Sequence, residues 1–116
     1  MDHYFLLRKV LILCLLLFVN STLFGQEISE NLTGSIKGKV VDETTQNPLP
    51  AVNILIEGTQ IGAAADTSGL FLIERVPAGV YNLRFRMIGY ETRILSNVVV
   101  SPHKTTTRHV EMKSTI

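Results

Sequence analysis

Residues 80–89, VYNLRFRMIG, admit one regular backbone. Tyr81, Leu83, Phe85 and Met87 recur at every second position, and Asn82, Arg84 and Arg86 fall between them. Side chains of an extended strand alternate between two faces, so this spacing builds one apolar row and one polar row. Wound into a helix, the same residues would scatter around the cylinder. The segment is therefore expected to be a strand whose apolar row is the centre of a core. Burying a large apolar side chain contributes about 1.5–3 kcal/mol before opposing entropy is counted. A row of such residues weighs heavily in a small domain, whose net stability is about 5–15 kcal/mol.

The same period runs through the rest of the chain from Ser35 onward. In residues 35–42, Ile36, Gly38 and Val40 share one face and Lys37, Lys39 and Val41 the other. Residues 42–50, DETTQNPLP, are dense in turn formers. Val52, Ile54 and Ile56 then alternate with Asn53, Leu55 and Glu57. Residues 59–69 combine small residues from Gly62 to Ala65 with an Asp66-Thr67-Ser68-Gly69 turn, as expected of a short edge strand passing close to a neighbour. In the strand expected from Leu70 to Val76, Phe71 and Ile73 face one way and Leu70 and Leu72 the other. At 77-PAG-79, Pro77 restricts the exit, and Gly79 is expected to take a conformation that a side chain disfavours. Residues 91–100 read as a strand interrupted near Ser96-Asn97, 101–104 as a return, and 105–112 as a last strand buried through Val110 and Met112.

These segments predict an all-β fold: an antiparallel β-sandwich of about seven strands over residues 35–113. Residues 26–34 read as a short polar lead-in and 114–116 as a tail.

The first residues follow a different rule. Arg8-Lys9 precedes the apolar run VLILCLLLFV, residues 10–19, which has the length of a signal-peptide core and is short for a membrane span. Residues 1–25 are expected to be cut away between Gly25 and Gln26, although Leu23 departs from the small-x-small pattern. Cys14, the single cysteine, leaves with them, so the exported body has neither a disulfide nor a thiol. Bulky Ile12 and Leu13 before Cys14 argue against lipid attachment. Loss of Asp2, Arg8 and Lys9 leaves a formally neutral body, with no long-range attraction for nucleic acid. Its size supports one modest core.

Few residues invite chemistry. His103, His109 and Glu111 could be read as a metal site, but strand geometry does not specify their convergence and a fourth ligand is lacking. Asp66-Thr67-Ser68-Gly69 lacks the spacing of a calcium loop and reads as an Asp-stabilised turn. Neither His103 nor His109 has a base–orienter relation to Ser68. Arg84 and Arg86 lie on the face opposite Phe85, so they form no base-stacking platform. The expectation is a body without cofactor or catalytic residues. Tyr90, just beyond Gly89 and less constrained than Tyr81, is the best candidate for partner contact. Loops around Asn47-Pro48, Thr67-Ser68 and Pro77-Ala78 are candidates for holding a carbohydrate or peptide.

Gly38-Lys39-Val40-Val41-Asp42, Pro48-Leu49-Pro50-Ala51-Val52-Asn53-Ile54, Asp66-Thr67-Ser68-Gly69-Leu70-Phe71, Val76-Pro77-Ala78-Gly79-Val80-Tyr81 and Ile88-Gly89-Tyr90 occur in that order. Together they resemble the carboxypeptidase-regulatory-like domain, a transthyretin-like β-sandwich. The leader, residues 90–93 (YETR) and residues 110–116 (VEMKSTI) are most similar to the N-terminal extension of TonB-dependent outer-membrane receptors of the Bacteroidetes type. The resemblance implies a non-catalytic accessory module on the periplasmic side of the outer membrane. Its implied partner is a receptor barrel or an envelope transport complex. It gives no residue a catalytic or zinc-binding role. In such receptors a TonB-contact segment, a plug and a barrel follow the sandwich. The chain stops where they would begin, so it is expected to be a truncated receptor, an excised extension or an independent copy of the module.

Overall fold

The computed structural model describes residues 3–20 and 32–116, which fall in two compact units, 1–31 and 32–116. In the first, helix α1 (His3–Asn20) covers the apolar run, with Cys14 exposed. No helix among the described residues is long and apolar enough to cross a membrane. The expected cut after Gly25 and most of the lead-in lie outside the described residues.

The second unit has seven strands: β1 (Thr33–Asp42), β2 (Asn53–Ile56), β3 (Gly62–Ala64), β4 (Leu70–Pro77), β5 (Gly79–Arg86), β6 (Arg93–Val100) and β7 (Thr105–Met112). They form a three-stranded sheet, β4-β1-β7, and a four-stranded sheet, β3-β2-β5-β6. This is the all-β, seven-stranded sandwich expected. One pairing departs from the antiparallel pattern: β1 and β7 run parallel from Ser35↔Thr105 to Asp42↔Met112. A tight hairpin forces antiparallel neighbours, but the chain between β1 and β7 passes through the other sheet, so nothing fixes that direction. The strands also outreach the expected boundaries. β1 starts at Thr33, within the expected lead-in. Past Lys113 the expected tail stays engaged, with Thr115 N donating to Gly89 O at 2.9 Å.

Alternation places the core. Ile36, Val40, Ile54, Ile56, Leu83 and Phe85 are fully buried between the sheets. In the row that anchors the sequence argument, Leu83 and Phe85 are sealed, whereas Tyr81 and Met87 at its ends are half-buried. Phe85 meets Phe71 edge-on, with centroids 5.6 Å apart and planes at 70°, the arrangement that the ring quadrupole favours. Gly38 pairs with Phe71 across β1 and β4. A Cβ at Gly38 would strike the Arg108 carbonyl of β7 and lie 2.7 Å from the Phe71 ring, so backbone and ring together leave no room for a side chain. At the β3 edge, Gly62 sits against the Ile54 carbonyl so closely that a Cβ would strike it, the close approach expected of that small-residue segment.

Two edge strands carry bulges. On β6, Tyr81↔Val98 is followed by Leu83↔Leu95, with Asn97 at φ 58° and its N–H donating to Asn82 Oδ1 at 3.2 Å. This is the interruption expected at Ser96-Asn97. On β4, Gly34↔Val76 is followed by Ile36↔Ile73, and Arg75 has φ 56°. The extra residue shifts the phase, so that Val76 is buried with Phe71 and Ile73 despite breaking the period of two. Gly79 corrects an expectation: it is an ordinary first residue of β5, outside the positive-φ positions, and a Cβ there would lie 3.3 Å from the Tyr81 hydroxyl.

Candidate functional site

The topology sorts the candidate contact residues between two ends. β1 opens with Thr33 opposite Pro77 and later sets Lys39 opposite Leu70, so the two ends of β4 mark opposite ends of the body. Ala78 lies at the first end, its N–H donating to Leu32 O at 2.7 Å. Thr67 and Ser68, in the turn before Leu70, lie at the second. Asn47 is also there, its carbonyl accepting from Asp42 N at 2.9 Å, and so is Tyr90, which bonds Asp42. Tyr90, Asn47, Thr67 and Ser68 therefore share one end, and Ala78 is removed from them by the length of β4.

That end is organised around Asp42, where β1 runs out into a turn. Asp42 Oδ1 accepts from Thr44 N at 2.8 Å and Thr45 N at 2.9 Å, while Oδ2 accepts from the Tyr90 hydroxyl at 2.7 Å. Asp42 is 8% exposed. The Thr45 backbone N–H, then the Tyr90 hydroxyl and the Thr44 N–H, hold its pKa below the usual value, against an opposing effect of burial. The same bond raises the Tyr90 pKa, because Asp42 favours the protonated phenol. Tyr90 is thus more constrained than its place after Gly89 implies: its hydroxyl is committed within the fold. Sequence reasoning passed over Asp42. An aspartate opening a turn is a visible signal, but a partner 48 residues away is not.

Beside this clasp lies an open groove of about 700 Å³, lined among others by Pro50, Ala51, Met87, Ile88, Tyr90 and Thr115. Tyr90 N donates to Met87 O at 3.1 Å, and Gly89 has φ 86°, so residues 87–90 form a type II turn with glycine where φ must be positive. The turn lifts Ile88 to 99% exposure. The tail forms the next wall, through the Tyr90↔Ser114 bridge and Glu91 N donating to Lys113 O at 2.8 Å. This arrangement offers an apolar projection on a braced base, a geometry suited to contact.

The neighbouring turn is the Asp-stabilised one expected. Asp66 Oδ1 accepts from Ser68 N at 2.8 Å and Leu70 N at 2.9 Å, with Gly69 at φ 75°. Gly69 backs onto the other loop, a Cβ there falling 3.2 Å from Pro48 Cβ, so the Asn47-Pro48 and Thr67-Ser68 loops adjoin. His103 occupies the β6–β7 turn, whereas His109 lies along β7. From Thr105, where β7 begins, to His109 the extended chain already runs about 13 Å away from that turn, and Glu111 Oε1 accepts from Gln46 at 3.2 Å. Among the described residues no cluster of three His, Cys, Asp or Glu could hold a metal. Arg84 points away from the core and pairs with Glu57 at 3.3 Å.

Solved structures share this architecture. A cohesin–X-dockerin complex from Acetivibrio cellulolyticus contains a chain 26% identical over 68% of this one and 56% of its own length, at a TM-score of 0.58. The minor pilin GBS52 of Streptococcus agalactiae matches at 21% identity over 74% of this chain and 46% of its own, TM-score 0.56. A Bacteroides uniformis protein proposed to bind carbohydrate matches at 18% identity over 69% and 41%, TM-score 0.55. This chain thus spans about half the length of each. No curated protein matches it. The family model of the CarboxypepD_reg-like domain matches residues 36–116, from the first core residue of β1 through the tail that walls the groove, and the chain belongs to that family.

Proposed function

We propose that this chain is a non-catalytic, exported accessory domain on the periplasmic side of the outer membrane, the N-terminal extension of a TonB-dependent receptor or a fragment of one. It serves as a positioning and protein-contact module. The family's sandwich is a regulatory or binding body. The observation that carries the reading is local. Residues 90–93 and 110–116, which carry the resemblance to receptor extensions, are paired through Tyr90↔Ser114 and Glu91–Lys113 at the foot of exposed Ile88. The leader, with Arg8-Lys9 before its apolar run, supports export.

The test is co-purification. The tagged full chain is expected to fractionate with outer membranes and to come out of detergent with a receptor barrel. Ile88→Asp should lose that partner at unchanged melting temperature, since Ile88 buries nothing. A monomeric periplasmic pool without an envelope partner would overturn the placement.

The adjoining Asn47-Pro48 and Thr67-Ser68 loops favour a second reading, an independent carbohydrate- or peptide-binding module. Saturable binding in a screen of envelope glycans and peptides, abolished by Thr67→Ala with Ser68→Ala in a folded protein, would favour it over the first.

A further inference from the structure

The outer face of the three-stranded sheet carries a feature that the contact end does not use. Register places Leu72, Lys37 and Thr107 in one row across β4, β1 and β7, and Leu70, Lys39 and His109 in the next. Between the rows lies a shallow trench of about 480 Å³. Leu70 and Leu72 are 50% and 51% exposed along one side, and the lysines run down the middle strand. The face is apolar at its β4 edge and cationic at its centre.

Its charge is unmatched. Among the described residues, neither lysine has a carboxylate within ion-pair distance; the one ion pair, Arg84–Glu57, belongs to the other sheet. Acids stand at its margins without pairing with either lysine: Glu74, exposed two residues along β4 from Leu72, then Asp66 and Glu111. Asp66, at the rim, accepts backbone N–H groups from Ser68 and Leu70. Glu111, two residues beyond His109, accepts from Gln46. Two adjacent ammonium groups repel, and a partner supplying carboxylates there relieves the repulsion while covering the leucines.

The geometry points to this face as the docking surface for an acidic amphipathic segment of a partner protein, with an apolar stripe over Leu70 and Leu72 and carboxylates over Lys37 and Lys39. Spacing supports an ordered occupant. Leu70 and Leu72, like Lys37 and Lys39, are i, i+2 pairs about 6.6 Å apart along the strand, close to the 5.4 Å helical pitch that separates successive side chains on one helix face. The surface is separate from the Ile88 groove and does not depend on the receptor assignment.

The test uses the full chain and three fluorescent amphipathic helical peptides with one leucine stripe, flanked by Glu, Gln or Lys. The Glu peptide is expected to bind at least ten times more tightly than the Gln peptide, with affinity falling as salt rises. Lys37→Glu with Lys39→Glu should abolish Glu-peptide binding and transfer preference to the Lys peptide. Leu70→Thr with Leu72→Thr should weaken binding without changing the charge preference. Because all four side chains are outward-facing, circular dichroism should stay unchanged. Equal binding of the Glu and Gln peptides, binding unaffected by the charge reversal, or no binding at millimolar peptide would overturn the proposal. So would recruitment to phosphatidylglycerol vesicles that competes fully with the Glu peptide, since it would make the face a lipid surface.

Discussion

At both ends of the sandwich a tyrosine hydroxyl closes a corner, but the two reach for different things. Tyr81, near the start of β5, donates to Pro77 O at 2.6 Å, four residues upstream, where the chain crosses from one sheet to the other. Tyr90 donates to a carboxylate 48 residues away, and that carboxylate also gathers the Thr44 and Thr45 N–H groups. The first bond is local and neutral. The second is charge-assisted and joins segments distant in sequence. The second end raises Ile88 to 99% exposure beside a groove, further than Leu32 or Val80 stand out at the first. A charge-assisted side-chain bond between distant segments accompanies presentation, whereas the other tyrosine closes only its own turn.

The contrast breaks most severely at the turn beside the clasp. Gly69 has φ +75°, and a Cβ there would lie 2.5 Å from Val40 O. Gly69→Ala therefore meets left-handed strain and a backbone clash together. Urea unfolding should show a loss of more than about 2 kcal/mol. Gly89 has φ +86° but open space around it, so Gly89→Ala should cost only the conformational part, about 1 kcal/mol. Equal losses would remove the clash from the explanation.

Charge sharpens the comparison next. Asp42 titrates lower in the folded chain than its ordinary value. Its contribution is therefore complete above the unfolded pKa of about 3.9 and disappears as pH falls through the lower folded value. Tyr90 shifts the other way. Its contribution is complete below the unfolded pKa of about 10 and is lost as pH rises through the higher folded value. Asp42→Asn should lower stability at neutral pH by less than Gly69→Ala does. Its difference from wild type should vanish progressively below about pH 4. Tyr90→Phe should remove the alkaline loss that this pair contributes. A wild-type-minus-variant difference that stayed constant from pH 6 to 2 would show that the Asp42 charge contributes nothing.

The two ends also differ in how far the sequence discloses them. The rows through Leu83 and Phe85 were legible because burial imposes a period of two on both the pattern and the backbone. The Asp66 turn and the Asn97 bulge were legible because Asp, Gly and Asn are the residues that such backbones select. Arg75 takes the same left-handed φ as Asn97 with no compositional sign; the need to return Val76 to the core imposes it, and that need exists only once β1 is alongside. The parallel β1–β7 pair and the Asp42–Tyr90 bond are likewise facts of assembly between distant segments. That Ala78 lies at the opposite end of β4 from Thr67 and Ser68 is equally a fact of assembly, since the three loop residues are alike in composition.

The smallest effect tests the simpler end. Tyr81→Phe removes a neutral hydrogen bond from a partly exposed hydroxyl, and the freed Pro77 carbonyl can turn to water, so the loss should be about 0.5–1 kcal/mol. A Cβ at Gly79 would stand 3.3 Å from that hydroxyl, tight enough that Gly79→Ala should displace it from Pro77 at a cost no larger. The two substitutions act on one bond, so their costs should not add. In the Tyr81→Phe background, Gly79→Ala should cost almost nothing, giving a coupling in the double-mutant cycle close to the single-variant loss. Simple additivity would mean that Gly79 acts through the backbone alone, and that this corner is held by the chain's own geometry rather than by its tyrosine.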